Sequence, residues 1–166
     1  MRAGRNLVVW VDSARNAPGR ATADQIATEA KRAASHFGLS PDVNVQLVVV
    51  SPHNTHPDGF PDTGFCAWHA ITDNGFPFTN QPYVLDAGEG CGAGSVQDPL
   101  DGFSIVGGHE FLEAVTDPDA GGGWFDAQGE ENGDKCAWMN LHTIDLGTGS
   151  FAVQPTWSNA IHGCDG

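Results

Sequence analysis

An α+β fold is predicted by three features of this 166-residue chain. An apolar run, an amphipathic stretch and a second apolar run open it in strand, helix, strand order. A helix-spaced stretch carrying His and Glu pairs lies further along, and a Gly-rich, acidic and loop-rich part closes it. The length suits one domain with a real core, so residues 1–166 are expected to form a single domain. Apolar residues make up 40% and charged ones 17%, with 22 Gly and 10 Pro, which predicts many loops.

Asn6 to Asp12, NLVVWVD, is rich in strand formers and predicts a buried strand. Thr22 with Gln25 makes a capping box, and Ile26, Ala30, Ala33, Ala34 and Phe37 recur at helical spacing up to Gly38, so residues 22–37 form a helix. Val43 to Val50, VNVQLVVV, is a second strand. Strand, helix, strand in that order implies a right-handed parallel crossover and a mixed sheet covered by a helix. Ser51 to Gly64 holds three prolines and no periodicity, as a surface loop does, and His53 and His56 within it are expected to be solvated. Phe65 to Thr72 and Tyr83 to Asp86 follow as short strands joined around Asn74-Gly75. The glycine-rich GEGCGAG at Gly88 to Gly94 lacks the Lys and Ser/Thr of a phosphate loop.

The central stretch runs from Gly107 to Pro118, GGHEFLEAVTDP. Residues four apart on a helix share a face, so His109 and Glu113 can offer a ring nitrogen and a carboxylate to one ion. Glu110 projects from the same end, displaced enough to meet a water beside that ion, where zincin peptidases place their general base. The stretch is thus a His-Glu-x-x-Glu variant of His-Glu-x-x-His. Phe103, Ile105, Val106, Phe111, Leu112 and Val115 supply the apolar positions of a helix that begins near Leu100 or Asp101 and is stopped by Pro118. Beyond it, Trp124 to Asp126 and Lys135 to Trp138 are expected as the arms of a hairpin whose acidic connection holds Glu130, Glu131 and Asp134. Ser150 to Gln154 is one more strand.

The net charge is −14, unevenly spread. The first 32 residues hold six of the seven Lys and Arg against three acids, and the remainder holds Lys135 against eighteen. Such a surface repels phosphate backbones and anionic bilayers, which excludes nucleic acid and membrane as expected partners and favours cations and cationic peptides. No run of 18 apolar residues occurs, and Met1 to Arg5 lacks the apolar stretch of a signal peptide, so a secreted form is expected to have lost its targeting segment. Cys66, Cys91, Cys136 and Cys164 form no Cys-x-x-Cys pair; an even count in an acidic, Lys-poor chain points to disulfides and an extracellular setting. Of three pairings, Cys66 with Cys91 and Cys136 with Cys164 are favoured, each closing a loop worth about 3 kcal/mol.

Strand, helix, strand, further strands and then a metal helix is the order of metzincin-like zincins. Closer still, FCAWH at Phe65 to His69, DAGEGCGAG at Asp86 to Gly94, GGHEFLEAVTDP, and the following W-F-D and E-N-G-D-K-C-A-W resemble the bacterial relatives of the EXORDIUM-like, phosphate-induced proteins. Those carry a His-Glu-x-x-Glu-x-x-Thr-Asp-Pro signature and are classed as zincin-like. The resemblance spans roughly residues 60–160. It implies a metal-dependent hydrolase, a peptidase in the first instance, supports the Cys66–Cys91 pairing, and places Asp134 and Cys136 in a recurring Gly-Asp-x-Cys element.

A catalytic zinc has three protein ligands and an open position. Asp134 and Glu131, 21 and 18 residues after Glu113, are the first and second candidates for the third ligand; Asp119, ten residues after His109, comes next, and His69 after it. Carboxylates in the majority make a harder set than two imidazoles and one carboxylate, so calcium or manganese is admitted beside zinc. The function expected is a secreted, monomeric zinc metallopeptidase acting on protein or peptide substrates. Glu110 is its general base, and His69 its oxyanion stabiliser. The alternative is a non-catalytic extracellular module for cell wall or glycan with a structural zinc or calcium ion.

Overall fold

The computed structural model describes residues 7–119 and 121–166. Among the described residues two α-helices, three short 3-10 segments and three small sheets make a mixed α+β architecture. Helix α1, Ala23–His36, starts on the Thr22 and Gln25 capping box, both reciprocal hydrogen bonds being present. Strands β1 (Leu47–Val50), β2 (Trp68–Ile71) and β3 (Pro77–Gln81) form one sheet in the order β1-β3-β2, with β1 parallel and β2 antiparallel to β3. Ile26, Ala30 and Ala34 of α1 pack on Leu47, Phe76 and Phe78. The second helix, α2 (Asp101–Thr116), covers the other side, where Gly107 lies against Gln81. All five residues of β3 are therefore buried, as a strand between two helices requires.

A second cluster joins Val106 of α2 to Phe60, Ala67, Val84 and Cys91. Contact is closest at Gly102, where an added Cβ would stand 2.2 Å from the Cys91 carbonyl, so glycine is required there. The Cys66–Cys91 and Cys136–Cys164 disulfides are both formed, in the favoured pairing, and none of the four cysteines is free. Strands β4 (His142–Leu146) and β5 (Gly149–Val153) make a hairpin that packs on α2, Ser104 Oγ donating to the Ala152 carbonyl at 2.7 Å. Strands β6 (Thr156–Ser158) and β7 (Gly163–Asp165) pair through the half-cystine at Cys164.

Several expectations are corrected. Of the strand expected at Asn6 to Asp12, Asn6 lies outside the described residues and the rest is neither strand nor buried: Leu7, Val8, Val9 and Val11 are exposed. Trp10 stacks on His36 and Asp12 pairs with Arg32, which ties the run to α1, so that among the described residues the regular elements begin with a helix and then a strand. The strand expected from Val43 shrinks to its last four residues, because Asp42 accepts main-chain N–H groups of Asn44 and Val45 in a turn. Tyr83 to Asp86 enters a 3-10 segment, Val84–Cys91, and the hairpin around Asn74-Gly75 closes instead on Pro77–Gln81. Trp124 to Asp126 and Lys135 to Trp138 are not hairpin arms: Asp126 gathers the N–H groups of Gln128 and Glu130 and the Lys135 ammonium, and Asp134–Cys136 is a 3-10 turn. Strand β4 has no counterpart among the expected elements.

Candidate metal centre

Helix α2 lays His109, Glu110 and Glu113 along one side of a cleft of about 510 Å³. Facing them are His69 from β2 and Glu131 and Asp134 from the loop after α2, with Ala67, Trp68 and Phe125 as apolar wall. Glu110 and Glu113 are 5% and 3% exposed, a burial that carboxylates rarely adopt without a partner charge, a cation or several hydrogen bonds. His109 Nε2 lies 3.1 Å from Glu113 Oε1 and 3.5 Å from Asp134 Oδ1, and the Asp134 main-chain N–H donates to the same Glu113 oxygen at 3.0 Å. Behind the ring, Gln154 of the segment after β5 donates Nε2 to the Gly133 carbonyl at 2.9 Å and stands 3.1 Å from His109 Nδ1, which fixes the imidazole plane. Gly133 lets the loop approach: a Cβ there would meet Glu113 Oε1 at 2.8 Å and His109 Nδ1 at 3.1 Å.

His69 is held from the opposite wall. Its Nε2–H donates to the Asp117 carbonyl at 2.9 Å, and its Nδ1 faces Glu110 Oε2 at 3.3 Å and Glu113 Oε2 at 3.8 Å. Asp117, 0% exposed, in turn accepts the N–H groups of Gly121, Gly122 and Gly123, which fixes the loop that carries the carbonyl.

The electrostatics record the crowding of acids. Burial opposes a proton on His109, but hydrogen bonds to Asp134 and Glu113 outweigh it, and its pKa is pushed up to about 10. His69 is likewise opposed by burial and raised by Glu110, Glu131 and the Asp117 carbonyl to about 9. Burial raises Glu110, and burial with the charges of Glu113 and Asp117 raises Glu131 to about 8. Among the described residues no Lys or Arg forms an ion pair with Glu110, Glu113, Glu131 or Asp134. In the protein alone, protons do the work of a cation.

The donor set fits a divalent ion. With bonds of about 2.0–2.1 Å, ligand atoms around a tetrahedral zinc stand about 3.3 Å apart. The 3.1 and 3.5 Å separations from His109 Nε2 match that spacing, and ligand atoms of His109, Glu113 and Asp134 lie within 4.8 Å of one another. Asp134, the first candidate for the third ligand, is thus beside the helix pair. Glu131 lines the cleft 3.7 Å from His69 Nε2 but joins no ligand trio, and Asp119 is exposed on the loop and does not line the cleft. Gln154, Gly133 and Asp117 were not among the sequence candidates. Only Asp117 carried a signal, since an acid followed by Gly121-Gly122-Gly123 marks a chain able to wrap its N–H groups around a carboxylate. No family model, curated protein or solved structure matches this chain.

Proposed function

We propose that this is a metal-dependent hydrolase of zincin type, a secreted peptidase related to the bacterial EXORDIUM-like proteins. The observation that carries the proposal is Glu110: a buried carboxylate with a raised pKa, one residue along the helix from His109 and outside the His109, Glu113 and Asp134 trio. A purely structural ion site has no need of it. His109, Glu113 and Asp134 would hold the ion, zinc first and calcium as the alternative. Such an ion, when bound, polarises a carbonyl and lowers the pKa of water toward ~7.

Glu110 takes a proton from the attacking water and passes it to the leaving amine, and burial moves its pKa toward the range where one carboxyl can do both. His69, its Nε2–H committed to Asp117, turns Nδ1 toward the cleft and in its protonated form donates to the carbonyl oxygen. Trp68 and Phe125 offer the apolar contact that a peptide side chain would use, and the acidic rim favours cationic substrates. Two disulfides support an extracellular setting, and no helix among the described residues is long and apolar enough to cross a membrane.

Glu110→Gln tests the proposal. The ion on His109 and the thermal stability should be retained while cleavage of unfolded protein substrates falls by about a hundredfold to ten-thousandfold. Undiminished turnover in the variant removes Glu110 as the base. A fully loaded wild type that cleaves none of a broad peptide panel makes the cleft a binding site with a structural ion instead.

A further inference from the structure

We infer that the cleft seats two divalent cations, bridged by the Glu113 carboxylate, with His69 Nδ1 and Glu110 Oε2 completing the second seat. The inference rests on His109, Glu113 and Asp134 as the first ion's ligands, and it reassigns His69 from proton donor to ligand. Among the described residues the ligand atoms fall into two trios, His109-Glu113-Asp134 and His69-Glu110-Glu113, each mutually within 4.8 Å. They share Glu113 alone and do not merge into one set that a single ion would gather.

The two oxygens of Glu113 are divided accordingly. Oε1 stands 3.1 Å from His109 Nε2, and Oε2 stands 3.8 Å from His69 Nδ1. Dinuclear hydrolase sites hold their ions about 3.5–4 Å apart, a distance that a carboxylate can bridge. His69 supplies the independent observation. Its side chain is 5% exposed, and the Asp117 carbonyl takes the Nε2 proton, which makes Nδ1 the donor atom. The polar atoms in front of Nδ1 are carboxylate oxygens, Glu110 Oε2 at 3.3 Å and Glu113 Oε2 at 3.8 Å. In the protein alone Nδ1 is paired with Glu110; with a cation in place of the shared proton, Nδ1 and the two carboxylate oxygens would form a ligand set, in the arrangement in which a metal-binding histidine gives its other N–H to a main-chain carbonyl.

Charge supports the same count. Glu110, Glu113, Glu131 and Asp134 line the cleft with no Lys or Arg among its described lining residues. Two dications would balance the four carboxylates with both imidazoles neutral, in place of the protons that balance them in the protein alone. The second seat reassigns Glu110 as well, from free base to ligand, because a carboxylate bound to a dication loses the raised pKa that suits a base.

Mn²⁺ added to metal-stripped, disulfide-intact protein provides the test, read by binding stoichiometry and electron paramagnetic resonance. The wild type should take up about two ions per chain and show the exchange-coupled spectrum of a bridged pair. His69→Ala and His109→Ala should each bind about one, with the spectrum of an isolated Mn²⁺. Saturation of the wild type at a single uncoupled ion overturns the second seat and leaves the His109 site standing; two uncoupled ions overturn the Glu113 bridge. Absence of any binding overturns both the second seat and the proposed metal-dependent function. Stoichiometry and coupling in the wild type decide the matter even where a variant fails to fold.

Discussion

Asp101 and Asp117 stand at opposite ends of α2 and do the same local job in opposite electrostatic surroundings. Asp101, 4% exposed, accepts the N–H groups of Val96, Gln97 and Asp98 at 2.7 to 3.0 Å. Asp117, 0% exposed, accepts those of Gly121, Gly122 and Gly123 at 2.6 to 3.0 Å. The first carboxylate sits in the opening turn, where the helix dipole favours it; the second sits at the C-terminal cap, where the dipole opposes it by about 0.3–1 kcal/mol. A carboxylate kept against the dipole needs a further reason, and the Asp117 carbonyl on His69 provides one. One end of the helix is built for stability and the other for the cleft.

The sharpest test of that contrast is Asp101→Asn. An amide oxygen is a poorer acceptor for three N–H groups, and the loss should cost about 2–3 kcal/mol of unfolding free energy with ion uptake unchanged. The effect has a pH signature. Burial raises the Asp101 pKa, yet its three main-chain donors outweigh burial and hold it below the usual carboxylate range. Its contribution is therefore complete above the unfolded value of about 4 and fades as pH falls through the lower folded value. Denaturant titrations should show the margin of wild type over variant narrowing below about pH 4. A margin that does not change with pH would mean that the N–H groups are satisfied without the charge.

Asp117→Asn should be milder for stability and harsher for the cleft. Relief from the dipole offsets part of the lost hydrogen bonding, leaving about 1–2 kcal/mol, while the loosened carbonyl on His69 should weaken ion binding about tenfold. Calorimetric ion titration beside thermal unfolding separates the two quantities. Equal stability losses at Asp101 and Asp117 with ion affinity intact would erase the distinction between the ends.

The same division governs what could be read in the sequence. Helical periodicity placed His109, Glu110 and Glu113 on one side, because three- and four-residue spacing fixes geometry locally. The Thr22 capping box was legible for the same reason, while the disulfide pairing was favoured by its short loops and, for Cys66–Cys91, by the family resemblance. On the facing wall His69, Glu131 and Asp134 were candidates, but the loops that carry them were not legible, because they are shaped by side chains that capture main-chain N–H groups from nearby in the chain. Asp126 folds its own loop around Lys135 where alternation suggested a hairpin, and Asp117 folds the glycine run. Gln154 reaches His109 across 45 residues with no local pattern to announce it. The run at Leu7 to Val11 shows the converse: strand propensity without a partner edge leaves apolar residues in solvent.

The smallest expected effect is at Asp119, which shares the Asp117 loop and differs from it in every respect that matters. It is exposed, joins neither ligand trio, and its carbonyl accepts from Gly122 N at 3.1 Å, a bond that a side-chain substitution leaves in place. Asp119→Ala should therefore change stability by less than about 0.5 kcal/mol and leave ion uptake at the wild-type level. Asp134→Ala is the paired measurement. It removes the carboxylate 3.5 Å from His109 Nε2 and should abolish the ion held there. The reverse result, uptake lost at Asp119 and kept at Asp134, would require the loop after Pro118 to swing onto the helix when the ion binds. Asp117 would then have to release Gly121, Gly122 and Gly123, and the carboxylate kept against the dipole would be a latch that opens on binding rather than a fixed wall of the cleft.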